Sequence, residues 1–226
     1  MDPRVFKMLL VIALVAGGAV VVASSDARLA GNHQGYEPEQ PIRFSHRLHA
    51  GELAIDCLYC HFGAEKSRHA GIPAAGLCMN CHSQVTAAKD AMLEEEALAT
   101  AEGRAPRTIV SPEIRKLYDA LGLDSERKPD PSKTPRPIEW VRVHNLPDFV
   151  WFDHRVHVAR AVACESCHGP VQSMERVRQE SDLSMGWCLD CHRTNPAVAA
   201  PLDPAAPLSS SPHPDHVSTD CASCHF

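Results

Sequence analysis

At 226 residues the chain has room for one or two domains, and its formal charge of −6, with no basic block anywhere, argues against nucleic-acid binding. Aromatic residues make up only 5% and prolines number 18, so a large conventional side-chain core is not expected. An apolar interior has to come from something other than side chains.

The N-terminus reads MDPRVFKMLLVIALVAGGAVVVASSDA, with Arg4 and Lys7 ahead of an uncharged apolar run from Met8 to Ala23. That run is at the short end of a membrane span, and Val5 and Phe6 lengthen it if Lys7 snorkels to the interface. The small residues in VVAS and SDA also suit a cleaved signal peptide. The expectation is a retained transmembrane anchor over 1–25. Either way, the positive flank sends residues 26–226 out of the cytoplasm, to the periplasmic side of the membrane.

An internal repeat follows. Residues 44–61, FSHRLHAGELAIDCLYCH, match residues 152–168, FDHRVHVARAVACESCH, in the order Phe-x-His-Arg-apolar-x-His and then CxxCH. Each copy is followed by a second CxxCH, which defines two modules at about 41–82 and 149–192. A reduced copy, HPDHVSTDCASCHF, closes a C-terminal segment over 197–226. Between the modules, 83–143 carries no cysteine. There SQVTAAKDAMLEEEALATAEG predicts a helix with Val85, Ala88, Met92 and Leu93 on one face and Gly103 at its stop. SPEIRKLYDALGL predicts a second helix, with Ser111 as N-cap and Pro112 in the first turn. KPDPSKTPRP predicts an extended linker, a proline-rich tether is expected over 196–214, and the glutamates at 94–96 read as a solvated face.

All ten cysteines belong to five CxxCH units: Cys57 and Cys60, Cys78 and Cys81, Cys164 and Cys167, Cys188 and Cys191, Cys221 and Cys224. This is the pattern of c-type haem attachment, in which two thiols form thioethers and the adjacent imidazole reaches the iron. His61, His82, His168, His192 and His225 are the proximal ligands in this reading. Structural zinc takes four ligands, so five pairs leave one over, and zinc gives no reason for a histidine after every pair. A disulfide framework joins distant cysteines rather than five close pairs.

Five haems closed by two imidazoles each need five of the nine remaining histidines. His46 and His49, and His154 and His157, are one helical turn apart, so each pair serves two neighbouring irons rather than one. His154 is expected to close the haem of His168, with His157 reaching another. The fifth distal ligand lies among His144, His69 and His216, while His33 and His213 are expected at the surface. Met185 is expected to pack against a haem edge rather than bind iron. The fold class is therefore mainly α and irregular, short helices and loops wrapped around five haems with little sheet, plus one N-terminal transmembrane helix.

PIRFSHRLHAGELAIDCLYCH, GIPAAGLCMNCH, PIEWVRVHNLPDFVWFDHRVHV, CESCHGPVQSMERV, LSMGWCLDCHR and CASCHF together resemble the pentahaem cytochrome c subunit of alternative complex III, over essentially 40–226. The FSHxxH…CxxCH grammar is shared more widely, with class III and related multihaem cytochromes. The resemblance implies a subunit of a membrane quinol-oxidising respiratory complex, beside an iron–sulfur (molybdopterin-like) subunit and quinol-binding membrane subunits. It implies electron relay towards a monohaem cytochrome c or a terminal oxidase, an N-terminal transmembrane helix, and His144 as the fifth distal ligand. The competing readings are a stand-alone anchored multihaem quinol dehydrogenase and a small multihaem reductase, the latter needing an iron with an open face. A pyridine haemochrome assay with protein mass is expected to give five haems per chain; two or fewer overturns the reading.

Overall fold

The computed structural model describes residues 2–24, 32–194 and 217–225. Among them there are helices and turns but no strand; extended pairing is confined to two isolated antiparallel bridges, Leu123 with Pro129 and Val150 with His225. Helix α1, Pro3–Ser24, is apolar, and its stretch Pro3–Val21, with a mean hydropathy of 2.1, is long and apolar enough to cross a membrane. A signal sequence near the N-terminus meets the same criteria of length and composition.

The first module opens with a single π-helical turn, Arg47–Glu52, immediately after His46. Short helices α2 (Cys57–Cys60), α3 (Gly63–Lys66) and α4 (Ala75–His82) follow. The second module has α7 (His154–Val158), α8 (Glu165–His168), a 3₁₀ turn at Val171–Ser173 and α9 (Met185–Thr194). A last 3₁₀ turn, Cys221–Ser223, carries the fifth CxxCH. Helices this short do not persist on propensity alone. Local caps set their starts: Asp56 accepts from the Leu58 N–H, Asp153 from Arg155 and Asp220 from Ala222. Each such cap contributes about 1 kcal/mol.

Between the modules lie α5 (Lys89–Glu102) and α6 (Pro112–Ala120). Gly103 ends α5 in the left-handed conformation at φ 66°, and Ser111 caps α6 through the Ile114 N–H, both where the sequence places them. The buried face of α5 is not the expected one. Val85, Met92 and Leu93 are exposed, whereas Glu95 and Ala99 are buried. Glu95 leaves the solvated row because Arg104 grips its carboxylate on both oxygens, while the Arg107 N–H donates to it at 2.8 Å. The proline-rich run is likewise not an extended spacer. It folds back on α6, through Asp130 N–H to Gly122 O, Arg136 N–H to Ala120 O, and Lys133 Nζ to Asp119 at 2.6 Å. The tether at 196–214 lies outside the described residues.

The side-chain core is thin. Among the described residues its buried apolar members are Ala64, Ala87, Ala99, Leu117, Tyr118, Ala120 and Met174, four of them alanines, which agrees with the sparse aromatic content. Tyr118, fully buried on α6, donates its hydroxyl to the carbonyl of His82 at 2.7 Å and ties the insert to the end of α4.

The two modules meet reciprocally. The π turn of the first packs on the 3₁₀ turn that follows the CxxCH of the second, and α7 of the second packs on α3, which follows the first CxxCH. Arg47 N–H donates to Met174 O on one side, and His154 N–H donates to Arg68 O on the other. This is the self-complementary pattern of a two-fold interface, here built within one chain from a repeated sequence. Gly51 sits at its tightest point: a Cβ there would lie 2.3 Å from the Gln172 carbonyl oxygen.

Glu95 sets a pH dependence. Its carboxyl is held down to about 2, first by the Arg104 hydrogen bond and then by the Arg107 N–H, from an ordinary 4.5. A depressed carboxylate contributes stability above its unfolded value and loses it as pH falls through the folded one. Glu95→Gln is therefore expected to lower the melting temperature at neutral pH, with the gap to wild type closing between about pH 5 and about pH 2. A gap constant across that window overturns this account.

Candidate haem and iron sites

The repeated Phe-x-His-x-x-His stretch produces the same geometry twice. Phe44 stands edge-on to His46 (centroids 4.9 Å, 82°) and stacks on His49 (4.3 Å, 23°); Phe152 does the same with His154 (4.8 Å, 87°) and His157 (4.7 Å, 28°). His49 Nδ1 meets Ser45 O at 2.8 Å and His157 Nδ1 meets Asp153 O at 2.9 Å, each four residues back. One phenylalanine thus orients two imidazoles, and a carbonyl on Nδ1 leaves Nε2 free to face outward.

Each of these four imidazoles faces a histidine of a CxxCH. His46 and His61 are parallel, 6.5 Å apart at 6°, and His154 and His168 lie 6.3 Å apart at 8°. His49 and His82 are 6.1 Å apart at 60°, and His157 and His192 are 6.2 Å apart at 40°. Two metal–imidazole bonds of about 2 Å, plus roughly 1 Å from each bonding nitrogen to its ring centre, give about 6 Å. The four spacings therefore match one iron between two imidazoles. A direct hydrogen bond would bring the rings closer, as it does for His144 and His168 at 4.4 Å.

Burial favours the neutral form of three of these imidazoles. Burial, then His61 and His49, lowers His46 to about 4; burial, then His144, His154 and His61, lowers His168 to about 3. Burial is also the main cause of the lowering of His157. Neutral imidazole is the form that binds iron. All ten cysteines are free and at least partly exposed. Burial first, then Cys191, Cys188 and Cys164, pushes the Cys167 thiol up to about 11, and Cys60, Cys78, Cys164 and Cys188 are raised as well. Among the described residues no three or more His, Cys, Asp or Glu side chains converge on a bare-ion site. The residues fit c-type haem.

Nδ1 of the CxxCH histidines is fixed as well: His61 on Gly71 O at 2.6 Å, His82 on Val85 O at 2.8 Å and His192 on Ser218 O at 2.9 Å. His168 differs, with Nδ1 3.1 Å from Nε2 of His144. His144, expected as the fifth distal ligand, thus lies edge-on against the imidazole of His168 at 81°. Among the described residues the ring packed on His225 is that of Phe149, 5.7 Å away. His69 is exposed, Met185 is 65% exposed at the start of α9, and His216, like His213, lies outside the described residues. His33, expected at the surface, is half-buried edge-on to Tyr36, and its Nδ1 is buried without a partner.

Sequence reasoning missed Gln179. It is fully buried: its side-chain oxygen accepts from the Asn145 N–H at 3.1 Å, its amide donates to Ser181 O at 3.0 Å, and its backbone pairs with Gly35 and Tyr36. A lone glutamine in a polar stretch carries no signal of burial.

Among proteins of known family, residues 150–226 match the model described as cytochrome c7 and related cytochrome c. The multiheme cytochrome c subunit of menaquinone reductase from Nitratidesulfovibrio vulgaris (strain Hildenborough) is 29% identical over 132 residues, 58% of this chain and 47% of that relative. The chain spans about half the length of the curated relative it matches. It is therefore similar to multihaem c-type cytochromes.

Proposed function

We propose that this chain is the electron-transfer subunit of a membrane quinone-linked respiratory complex and carries five c-type haems with no catalytic residue of its own. The observation that carries the reading is the four iron-spaced imidazole pairs, each ending on a CxxCH histidine. Bound haem supplies a one-electron ferric/ferrous couple, and an iron closed by two imidazoles offers no face to a substrate. Cys57, Cys60, Cys78, Cys81, Cys164, Cys167, Cys188, Cys191, Cys221 and Cys224 are the attachment thiols. His46 pairs with His61, His49 with His82, His154 with His168 and His157 with His192, and His225 holds the fifth iron. Residues 1–25 are the anchor, and 26–226 form one periplasmic haem domain.

Neighbouring residues support a linear order of sites, second–first–third–fourth–fifth. Asn80 of the second CxxCH donates to the Tyr59 hydroxyl of the first at 2.9 Å. The reciprocal interface joins first to third, with His154 Nδ1 on Arg68 O at 2.8 Å. Helix α7 spans third and fourth, with His154 facing His168 and His157 facing His192. Ser218 on His192 joins fourth to fifth, and the Trp151 N–H donates to Cys224 O. The ends of such a row are where partners connect: an iron–sulfur, molybdopterin-like subunit with quinol-binding membrane subunits on one side, and a monohaem cytochrome c or terminal oxidase on the other, as in alternative complex III.

The relative's name supports a second reading, in which the complex delivers electrons to menaquinone instead of taking them from quinol. Purifying the membrane complex through a tag on this chain separates the two. Quinol reduces its haems in the first reading; in the second, an added reduced cytochrome does so and a menaquinone analogue reoxidises them. Reduction of the isolated chain by quinol overturns both in favour of a stand-alone quinol dehydrogenase.

The angles between ring planes generate an independent prediction. Parallel imidazoles lift the degeneracy of the iron d-orbitals that point between ligand planes, whereas crossed planes restore it. Ferric holoprotein is expected to show two rhombic low-spin haems, from the 6° and 8° pairs, and haems of larger maximal g from the 40° and 60° pairs. Electron paramagnetic resonance with a single class of low-spin signal, or with more than one high-spin haem per chain, counts against these pairings.

A further inference from the structure

Three of the four CxxCH histidines in the imidazole pairs rest Nδ1 on a main-chain carbonyl, but His168 rests it on another imidazole. If His168 binds iron through Nε2, its Nδ1 carries the proton and donates it. His144 Nε2 is then the acceptor, and the proton of His144 sits on its own Nδ1. The contact is a built one. Both rings are part-buried, the Arg142 side chain holds the His144 carbonyl at 3.0 Å, and fully buried Gln179 fixes the next N–H, that of Asn145, at 3.1 Å. Gln179 is itself clamped by Ser181 O and by the backbones of Gly35 and Tyr36.

We propose that His144 is a positioning residue that sets the basicity of the His168 imidazole and so lowers the potential of the third haem below what a carbonyl acceptor would give. An imidazole nitrogen is a stronger base than an amide oxygen. It draws the shared proton further, makes His168 the stronger donor and favours the ferric state. The same clamp holds the imidazole plane of His168 within 8° of that of His154. The third site thereby becomes chemically distinct among the four that share the paired-imidazole geometry. The inference rests on the proposed haem reading of His168.

The test is a redox titration of the full-length holoprotein in its complex, followed by optical and paramagnetic resonance spectra. His144→Phe is expected to retain five haems, keep the third low-spin and raise one midpoint potential alone, by about a tenfold change in its reduction equilibrium, about 59 mV for one electron. His144→Gln, which restores an amide acceptor like those of the other sites, is expected to move the same midpoint upward by less, and it carries the test if the phenylalanine variant does not accumulate with its haems. A new high-spin signal in either variant makes His144 an iron ligand and overturns the proposal, as do five unmoved midpoints. Two or fewer haems in the wild type defeats the haem reading itself, a result that the variants cannot imitate.

Discussion

A distance of about 6 Å between facing imidazoles is the constraint on which the rest depends. Two bonds to one iron would set it, and the chain meets it four times, twice in each copy of its internal repeat. Because side chains alone bury so little, the helices cannot be understood as pieces of a packed protein core. Around the histidines they are short brackets, each presenting one or two imidazoles, most of them held by a contact on Nδ1.

The duplication extends that constraint from single sites to a row. A Phe-x-His-x-x-His turn offers two imidazoles to two different sites, so every copy couples neighbours. The reciprocal packing of the π turn on the second module, and of α7 on the first, then couples the two copies. Gly51 allows that contact by leaving room for the Gln172 carbonyl, and a side chain there would push the modules apart. The π turn in one copy and the ordinary helix in the other show that the repeat conserves the imidazole directions rather than the hydrogen-bond ladder between them.

Much of this was legible in the sequence, because CxxCH and HxxH are local signals whose spacing is itself the chemistry. The helix boundaries at Gly103 and Ser111 were legible for the same reason: a left-handed stop and an N-cap are decided within four residues. What was not legible depended on partners distant in the chain. Glu95 reads as one more exposed glutamate until Arg104 and Arg107 return to it across the loop after α5. The run KPDPSKTPRP reads as a spacer until Asp119 and Gly122 supply partners for it. His144 stands out in the sequence within an ordered segment ahead of a module, but only the fold shows that its nitrogen meets Nδ1 of His168. Gln179 had no local signal at all.

The reciprocal interface also bears on biogenesis. It brings together equivalent cysteines, and the Cys164 thiol is raised by burial and then by the neighbouring Cys57 thiol. On the proposed haem reading these two sulfurs belong to different attachment sites. In an oxidising compartment such a pair is a ready substrate for an unwanted disulfide, which would consume one attachment thiol from each site. Keeping the thiol protonated slows that reaction, since thiolate is the attacking species. On the proposed haem reading, thioether formation at the first and third sites removes both thiols from that reaction.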